Sequence, residues 1–231
     1  MKRLVVCFDG TWQLALDPHV SNVEKLARVI TPTAASAAPS ADGADERVHQ
    51  LVYYVGGVGS SYSVDRLLGG SMGLGLTTGV MNAYRFLALN FQAGDEVFVF
   101  GFSRGAFSAR TLVGMISRTG LVRSDTMWEG KLTTAYERFR HYSRTGQSDQ
   151  EDDARFKDEA CHPHVCVPFL GVFDTVDALG PRVRLRNNTF LDETVAVGRQ
   201  ALAIEDRRRI FAPHLWTGRP ELADSGRVLQ V

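Results

Sequence analysis

Gly101-Phe102-Ser103-Arg104-Gly105 sets a serine between two glycines, after the apolar run Glu96 to Phe100 and before the helix-like run Ala106 to Ser117. A serine hydroxyl becomes an exposed nucleophile on a sharp strand-to-helix turn, and that turn needs neighbours two before and two after that are nearly free of side chain. Gly101 and Gly105 meet this need. The backbone N–H of the next residue, Arg104, then points from a helix N-terminus toward any oxyanion forming on an acyl carbon. Ser103 is the candidate nucleophile, and the chemistry it suits is acyl transfer from an ester.

Such a serine works with a histidine base and a carboxylate that fixes the base's tautomer, usually in the chain order Ser, acid, His. Asp174 closes the apolar run Val167 to Phe173, at the carboxyl end of a strand, where the sites of parallel sheets collect. Asp177, three residues on, is the alternative acid, and Asp174-Thr175 also suits a turn or a helix cap. Asp9-Gly10-Thr11 follows the first strand. Its Gly10 to Thr11 loop is the candidate second oxyanion donor beside Arg104, with Asp9 holding the loop by hydrogen bonds. His214 is the one histidine downstream of Asp174 and so the candidate base. His141, His162 and His164 precede Asp174, an order that chemistry does not forbid.

Two further clusters are read as structural. Cys161-His162-Pro163-His164-Val165-Cys166 has a spacing that matches no standard zinc pattern. The glycines between Gly56 and Gly79 fall outside the dinucleotide-binding register. The sequence therefore calls for no metal and no cofactor.

The elements that must position these residues follow from pattern. Strands are expected at Leu4 to Phe8, His49 to Val55, Glu96 to Phe100 and Cys166 to Phe173. Helices are expected at Asn22 to Ile30, capped by Ser21, and at Thr77 to Phe91, where Val80, Tyr84, Leu87 and Phe91 recur at helical spacing. Strands alternating with helices imply an α/β fold: one domain over residues 1–231, with a mainly parallel sheet covered by helices on both faces. Residues 31–47 and 146–159 are polar and aperiodic, and are read as mobile surface loops.

Bulk properties narrow the function classes. The 231 residues carry a formal net charge of zero, which leaves no electrostatic footprint for nucleic acid. Leu4 to Phe8 is too short for a signal-peptide core, and no stretch reaches the roughly 18 to 20 apolar residues of a membrane span. Three cysteines, an odd number, fit reduced thiols and a cytoplasmic protein, with signal-independent export left open.

Taken together, Cys7-Phe8-Asp9-Gly10-Thr11-Trp12, Gly57-Val58-Gly59, the run Gly101 to Arg110, Gly171-Val172-Phe173-Asp174-Thr175-Val176 and Ala201 to Arg208 resemble the catalytic domain of type VI secretion phospholipase effectors of the Tle class, a family also described as a domain of unknown function. The resemblance runs over nearly the whole chain. It implies an α/β-hydrolase-like fold and hydrolysis of carboxylic esters, with phospholipid acyl bonds as the leading substrate class. It also implies peripheral membrane contact and an immunity, adaptor or secretion-system protein as partner. Ser103 matches the family nucleophile and Asp174 the family acid. The family histidine lies in a later motif that normally follows a segment like Gly226 to Val231, so the domain reads as incomplete at its carboxyl end, and His214 is not a position the pattern singles out. The rival reading is a catalytically inactive fragment or pseudoenzyme that binds a lipid or a protein.

Overall fold

The computed structural model of the chain describes residues 1–10, 20–35, 47–57, 72–176, 194–204, 215–216 and 225–231. In chain order the elements are β1 (Lys2–Phe8), α1 (Asn22–Val29), β2 (Thr33–Ala35), β3 (Arg47–Val55), α2 (Met72–Asn90), β4 (Glu96–Phe102), α3 (Arg104–Thr119), α4 (Lys131–Thr145), α5 (Gln150–Ala160), β5 (Cys166–Phe173), β6 (Val195–Ala201) and β7 (Val228–Gln230).

Side-chain alternation assigns each strand's two faces. Leu4, Val6 and Phe8 of β1 enter the main core with Val97 and Val99 of β4, whereas Val5 and Cys7 face a smaller cluster with Phe98, Phe100 and Phe102. The main core is closed by α2 and α3. Val80, Tyr84 and Leu87 of α2, and Phe91 directly after it, are all buried, as their spacing requires. Helix α3 is buried almost throughout. On the other face α1 supplies Val23 and Ala27. Its cap is Ser21, whose Oγ accepts the Glu24 N–H at 3.0 Å. The α/β fold with helices on both faces is thus the observed one.

The seven strands run in the order β2-β3-β1-β4-β5-β6-β7. Every pairing is parallel except β2 with β3. The chain steps from β1 outward to β3, then returns past β1 to β4 and continues away from it. Strand order therefore reverses between β1 and β4, the point at which open α/β sheets open a crevice at their carboxyl ends. Gly10 leaves β1 and Ser103 leaves β4 at that point.

Two segments differ from the sequence reading. Residues 146–159 are not a loop beyond the turn at Gly146, because α5 begins at Gln150. Its polar sequence hides a helix that Asp149 caps, that carries Glu151, Asp152 and Asp153 in its first turn, and that buries only Phe156 and Ala160. Arg138 holds it through Asp152 and Asp153, and Arg118 binds Asp153 at 2.5 Å. Within 31–47, Thr33–Ala35 forms the antiparallel edge strand β2, and residues 36–46 lie outside those described. Strands β6 and β7 were not expected from pattern at all.

At the amino edge Asp95 ties β1 to β4. It is 4% exposed, accepts the Lys2 and Gln92 N–H groups at 2.8 Å each and pairs with the Lys2 ammonium. Burial opposes ionisation of Asp95, but these hydrogen bonds and the Lys2 charge outweigh it and hold its pKa below the usual carboxylate range. A depressed folded-state pKa contributes stability that is present above the unfolded-state value and lost as pH falls through the folded one. Asp95→Asn is expected to cost about 1.5–3 kcal/mol in urea unfolding at pH 7. The deficit should shrink as the pH is lowered below about 4.

Candidate active site

The turn after β4 depends on two glycines that admit no side chain. A Cβ on Gly101 would lie 2.6 Å from both the Ala106 Cα and the Gly105 carbonyl oxygen. One on Gly105 would strike the Phe8 and Asp9 carbonyl oxygens. The first turn of α3 is thereby pressed against the carboxyl ends of β1 and β4. Ser103, between the glycines, has φ 55° and ψ −120° and occupies the N-cap position of α3 without making a side-chain cap bond. A non-glycine residue with that backbone is strained, by about 1–3 kcal/mol.

Asp174 has the second strained backbone, with φ 43°. Among the described residues these two are the non-glycine positions of positive φ. Strand β5 brings Asp174 to Ser103, since Phe102 and Phe173 are register partners. The Ser103 N–H donates to the Phe173 carbonyl at 2.9 Å, and the Val176 N–H donates to the Ser103 carbonyl at 3.4 Å. Asp174 is anchored in turn to β6: its N–H donates to the Ala201 carbonyl at 2.9 Å, and its Oδ1 accepts the Ala203 N–H at 2.5 Å.

On the other side, Asp9 is 4% exposed and acts as a hub. Its Oδ1 accepts the Gly10 N–H at 2.6 Å, and its Oδ2 accepts from Ser21 Oγ at 2.7 Å and from the Tyr54 hydroxyl. Burial and then the bond to Asp9 raise the Tyr54 pKa, so the phenol stays protonated. Burial, followed by the Asp9 charge, pushes the Cys7 thiol up to about 12 and keeps it unreactive. Asp9 is a loop anchor, as expected. The Gly10 N–H, expected as an oxyanion donor, is engaged with Asp9 Oδ1. Thr11, the other half of that donor loop, lies outside the described residues, as do Asp177 and His214.

The described histidines stay away from this edge. His49 is the third residue of β3, and His162 and His164 precede β5 at the amino edge. His162 stacks edge-on against Phe91 with centroids 4.9 Å apart, and burial lowers its pKa. His141 is exposed on α4. Cys161 Sγ donates to the Thr119 carbonyl at 3.3 Å, also at the amino edge.

Arg110 was not singled out from sequence. Two turns into α3, it is 3% exposed, and its guanidinium lies 5.0 Å from the centre of the Trp216 ring. Burial lowers its pKa to about 9. Trp216 is pinned to β7 because its N–H donates to Gln230 Oε1 at 2.8 Å and its carbonyl accepts from Gln230 Nε2 at 3.2 Å. The signal was an arginine among small residues on an otherwise buried helix.

A strained serine leading from a central parallel strand into a buried helix, with a carboxylate at the end of the neighbouring strand, makes this an α/β-hydrolase-like domain. More narrowly, the chain belongs to the family of type VI secretion system phospholipase effector Tle1-like catalytic domains, whose model matches residues 2–230. It is 29% identical to the uncharacterized protein YEL023C of Saccharomyces cerevisiae over 95% of this chain and 33% of that protein. A solved structure of the Tle1 effector bound to the VgrG spike of a type 6 secretion system matches with a TM-score of 0.41 and 17% identity, covering 90% of this chain and 46% of that one. The chain thus spans about a third of the curated relative and under half of the solved chain.

The backbone strain gives a stability prediction. Ser103→Gly should raise the unfolding free energy by about 1 kcal/mol, because glycine adopts positive φ freely. Gly105→Ala should lower it by about 1–3 kcal/mol, because the Cβ meets backbone that cannot move aside. Chemical denaturation of the two variants beside the parent checks both signs.

Proposed function

We propose that the domain is a serine esterase of lipase or phospholipase type, acting on the acyl ester bonds of lipids. The observation that carries this reading is the coincidence of backbone strain with chemistry: among the described residues, the two non-glycine positions of positive φ are the candidate nucleophile and the candidate acid. Strain of this kind persists where function requires it. The family's description as phospholipase effectors supports the substrate class.

In this mechanism Ser103 Oγ attacks the acyl carbonyl carbon while a histidine takes its proton. Asp174 holds that histidine's other ring nitrogen, and its own carboxylate is kept in place by the Ala203 N–H. Negative charge forming on the carbonyl oxygen is met by the Arg104 N–H at the head of α3, with the Thr11 end of the β1 loop as second donor. The alcohol leaves with the histidine's proton, and water then releases the acid from Ser103. His214 is this chain's remaining candidate for the base, and a histidine entering from beyond Val231 is the alternative that the family pattern supports. The family's description as type VI secretion system effectors makes a secretion-system protein the partner class.

The test is hydrolysis of short-chain p-nitrophenyl esters and of phosphatidylcholine vesicles by the full-length protein. Ser103→Ala should remove turnover on both, by at least about 10³-fold, and Asp174→Asn should lower kcat by a similar order with little change in KM. Turnover that survives Ser103→Ala would sink the assignment.

A further inference from the structure

The carboxyl end of β1 touches the Ser103 turn on both sides of the serine. After it, Gly105 lies so close to the Phe8 and Asp9 carbonyl oxygens that a Cβ would overlap them. Before it, Gly10 lies against the ring of Phe102, and a Cβ on Gly10 would come within 2.5 Å of the ring's Cδ1. Phe8 is also the register partner of Gly101. The main chain of residues 8–10 thus meets the residues two before, one before and two after the candidate nucleophile. Close-packed interiors transmit displacements instead of absorbing them, so a shift of residues 8–10 is passed to the turn.

Residues 8–10 are held in turn through the Asp9 carboxylate. Its Oδ1 accepts the Gly10 N–H, and its Oδ2 accepts from Ser21 Oγ and from the Tyr54 hydroxyl. Ser21 is committed twice, since its Oγ also accepts the Glu24 N–H as the cap of α1. Tyr54 reaches across from the neighbouring strand. It is the register partner of Cys7, and Cys7 and Asp9, two residues apart, share a face of the sheet. The Asp9 N–H donates to the Val55 carbonyl at 2.9 Å and extends the β1–β3 ladder to this point. Burial, and then the bond to Asp9, keep the Tyr54 phenol protonated, so it is a standing donor to a carboxylate, a stronger bond than one between neutral groups. At 4% exposure Asp9 depends on these donors and not on bulk water.

We infer that Tyr54 is a positioning residue for the reaction at Ser103: its hydroxyl, acting through the Asp9 carboxylate, sets where residues 8–10 stand against the nucleophile turn. The inference rests on the esterase reading of Ser103. Tyr54 supplies no atom to the reacting groups in that mechanism. Its effect arrives through Asp9 Oδ2 and then through the Asp9 and Gly10 main chain, which meets Gly105 and Phe102. The residue after Gly10 is Thr11, the second oxyanion donor of the proposed mechanism, so the same bond bears on both sides of the attacked carbonyl. Misplacing a reacting group by about 1 Å costs up to roughly 10²-fold in rate. Loss of one hydroxyl moves the main chain by less, and the loss falls on kcat because alignment, not the hold on the ester, is what changes.

The test compares Tyr54→Phe with the parent in the full-length protein, by turnover of short-chain p-nitrophenyl esters and by the rate at which a fluorophosphonate labels Ser103. Tyr54→Phe should lower kcat about tenfold and slow labelling by a similar factor, with KM within about twofold of the parent. Tyr53→Phe, which changes the neighbouring tyrosine stacked on Phe86 with centroids 4.9 Å apart, should keep the parent's rates. Asp9→Asn should be at least as slow as Tyr54→Phe, and combining the two should cost little more than Asp9→Asn alone, because both act through one bond. Circular dichroism and urea unfolding establish that each variant is folded. Should Tyr54→Phe not fold, Ser21→Ala, which removes the other Oδ2 donor, is read in its place with the same expected direction. A hydroxyl that only braces the fold would lower the urea midpoint and leave kcat and labelling of the folded variant at the parent's values, and that result overturns the inference. So does a loss confined to KM, or effects of Asp9→Asn and Tyr54→Phe that multiply in the double variant. Failure of the esterase reading looks different: the parent itself then shows no labelling of Ser103, or turnover that survives Ser103→Ala, and both proposals fall together.

Discussion

The contact of Gly105 with the carbonyl oxygens of Phe8 and Asp9 is the constraint on which the arrangement rests. Only a residue without Cβ lets the first turn of α3 reach the carboxyl ends of β1 and β4. That approach aims the amino end of a long buried helix at the reversal of strand order. It also forces the chain to turn sharply between β4 and α3, so Ser103 takes a backbone that a side chain disfavours. The amino end of α3, the Ser103 turn and the reversal of strand order meet at one place because of a single close packing.

Strain and stabilisation are divided between the two edges of the sheet. At the carboxyl edge Ser103 and Asp174 both hold unfavourable φ, and they are held there by bonds from neighbouring strands: Phe173 and Val176 on the elbow, Ala201 and Ala203 on the acid. At the amino edge Asp95 and Tyr84 are well partnered. Asp95 binds Lys2, and the Tyr84 hydroxyl donates to the Gly120 carbonyl at 2.7 Å and accepts the Val122 N–H at 3.0 Å. Asp9 belongs to the same scheme, because one carboxylate ties the β1 loop to the cap of α1 and to β3.

Much of this was legible in the sequence where local pattern and tertiary role coincide. Gly101 and Gly105 bracket Ser103, and Val167 to Phe173 lead into Asp174, so both residues and their strands could be read directly. Helix α2 was legible because its stripe is uninterrupted. Helix α5 was not, because its burial rests on Phe156 and Ala160 while its place is set by arginines on α3 and α4. Strand β6 was hidden by Gly198, Arg199 and the fully buried Gln200, which break its apolar alternation, and β7 has three residues. The role of Tyr54 at Asp9 joins positions 45 apart, and no local signal announces such a pairing. The engagement of the Gly10 N–H by Asp9 likewise appears only in three dimensions.

The central claim is that the strained turn presents Ser103 as a nucleophile. Mass spectrometry of the full-length protein after exposure to a fluorophosphonate tests it most directly, since that reagent reports an activated serine without any assumption about the natural substrate. The account predicts one phosphonyl adduct, mapped to the peptide that contains Ser103. An adduct confined to another residue, or an unmodified Ser103 in folded full-length protein, would contradict it.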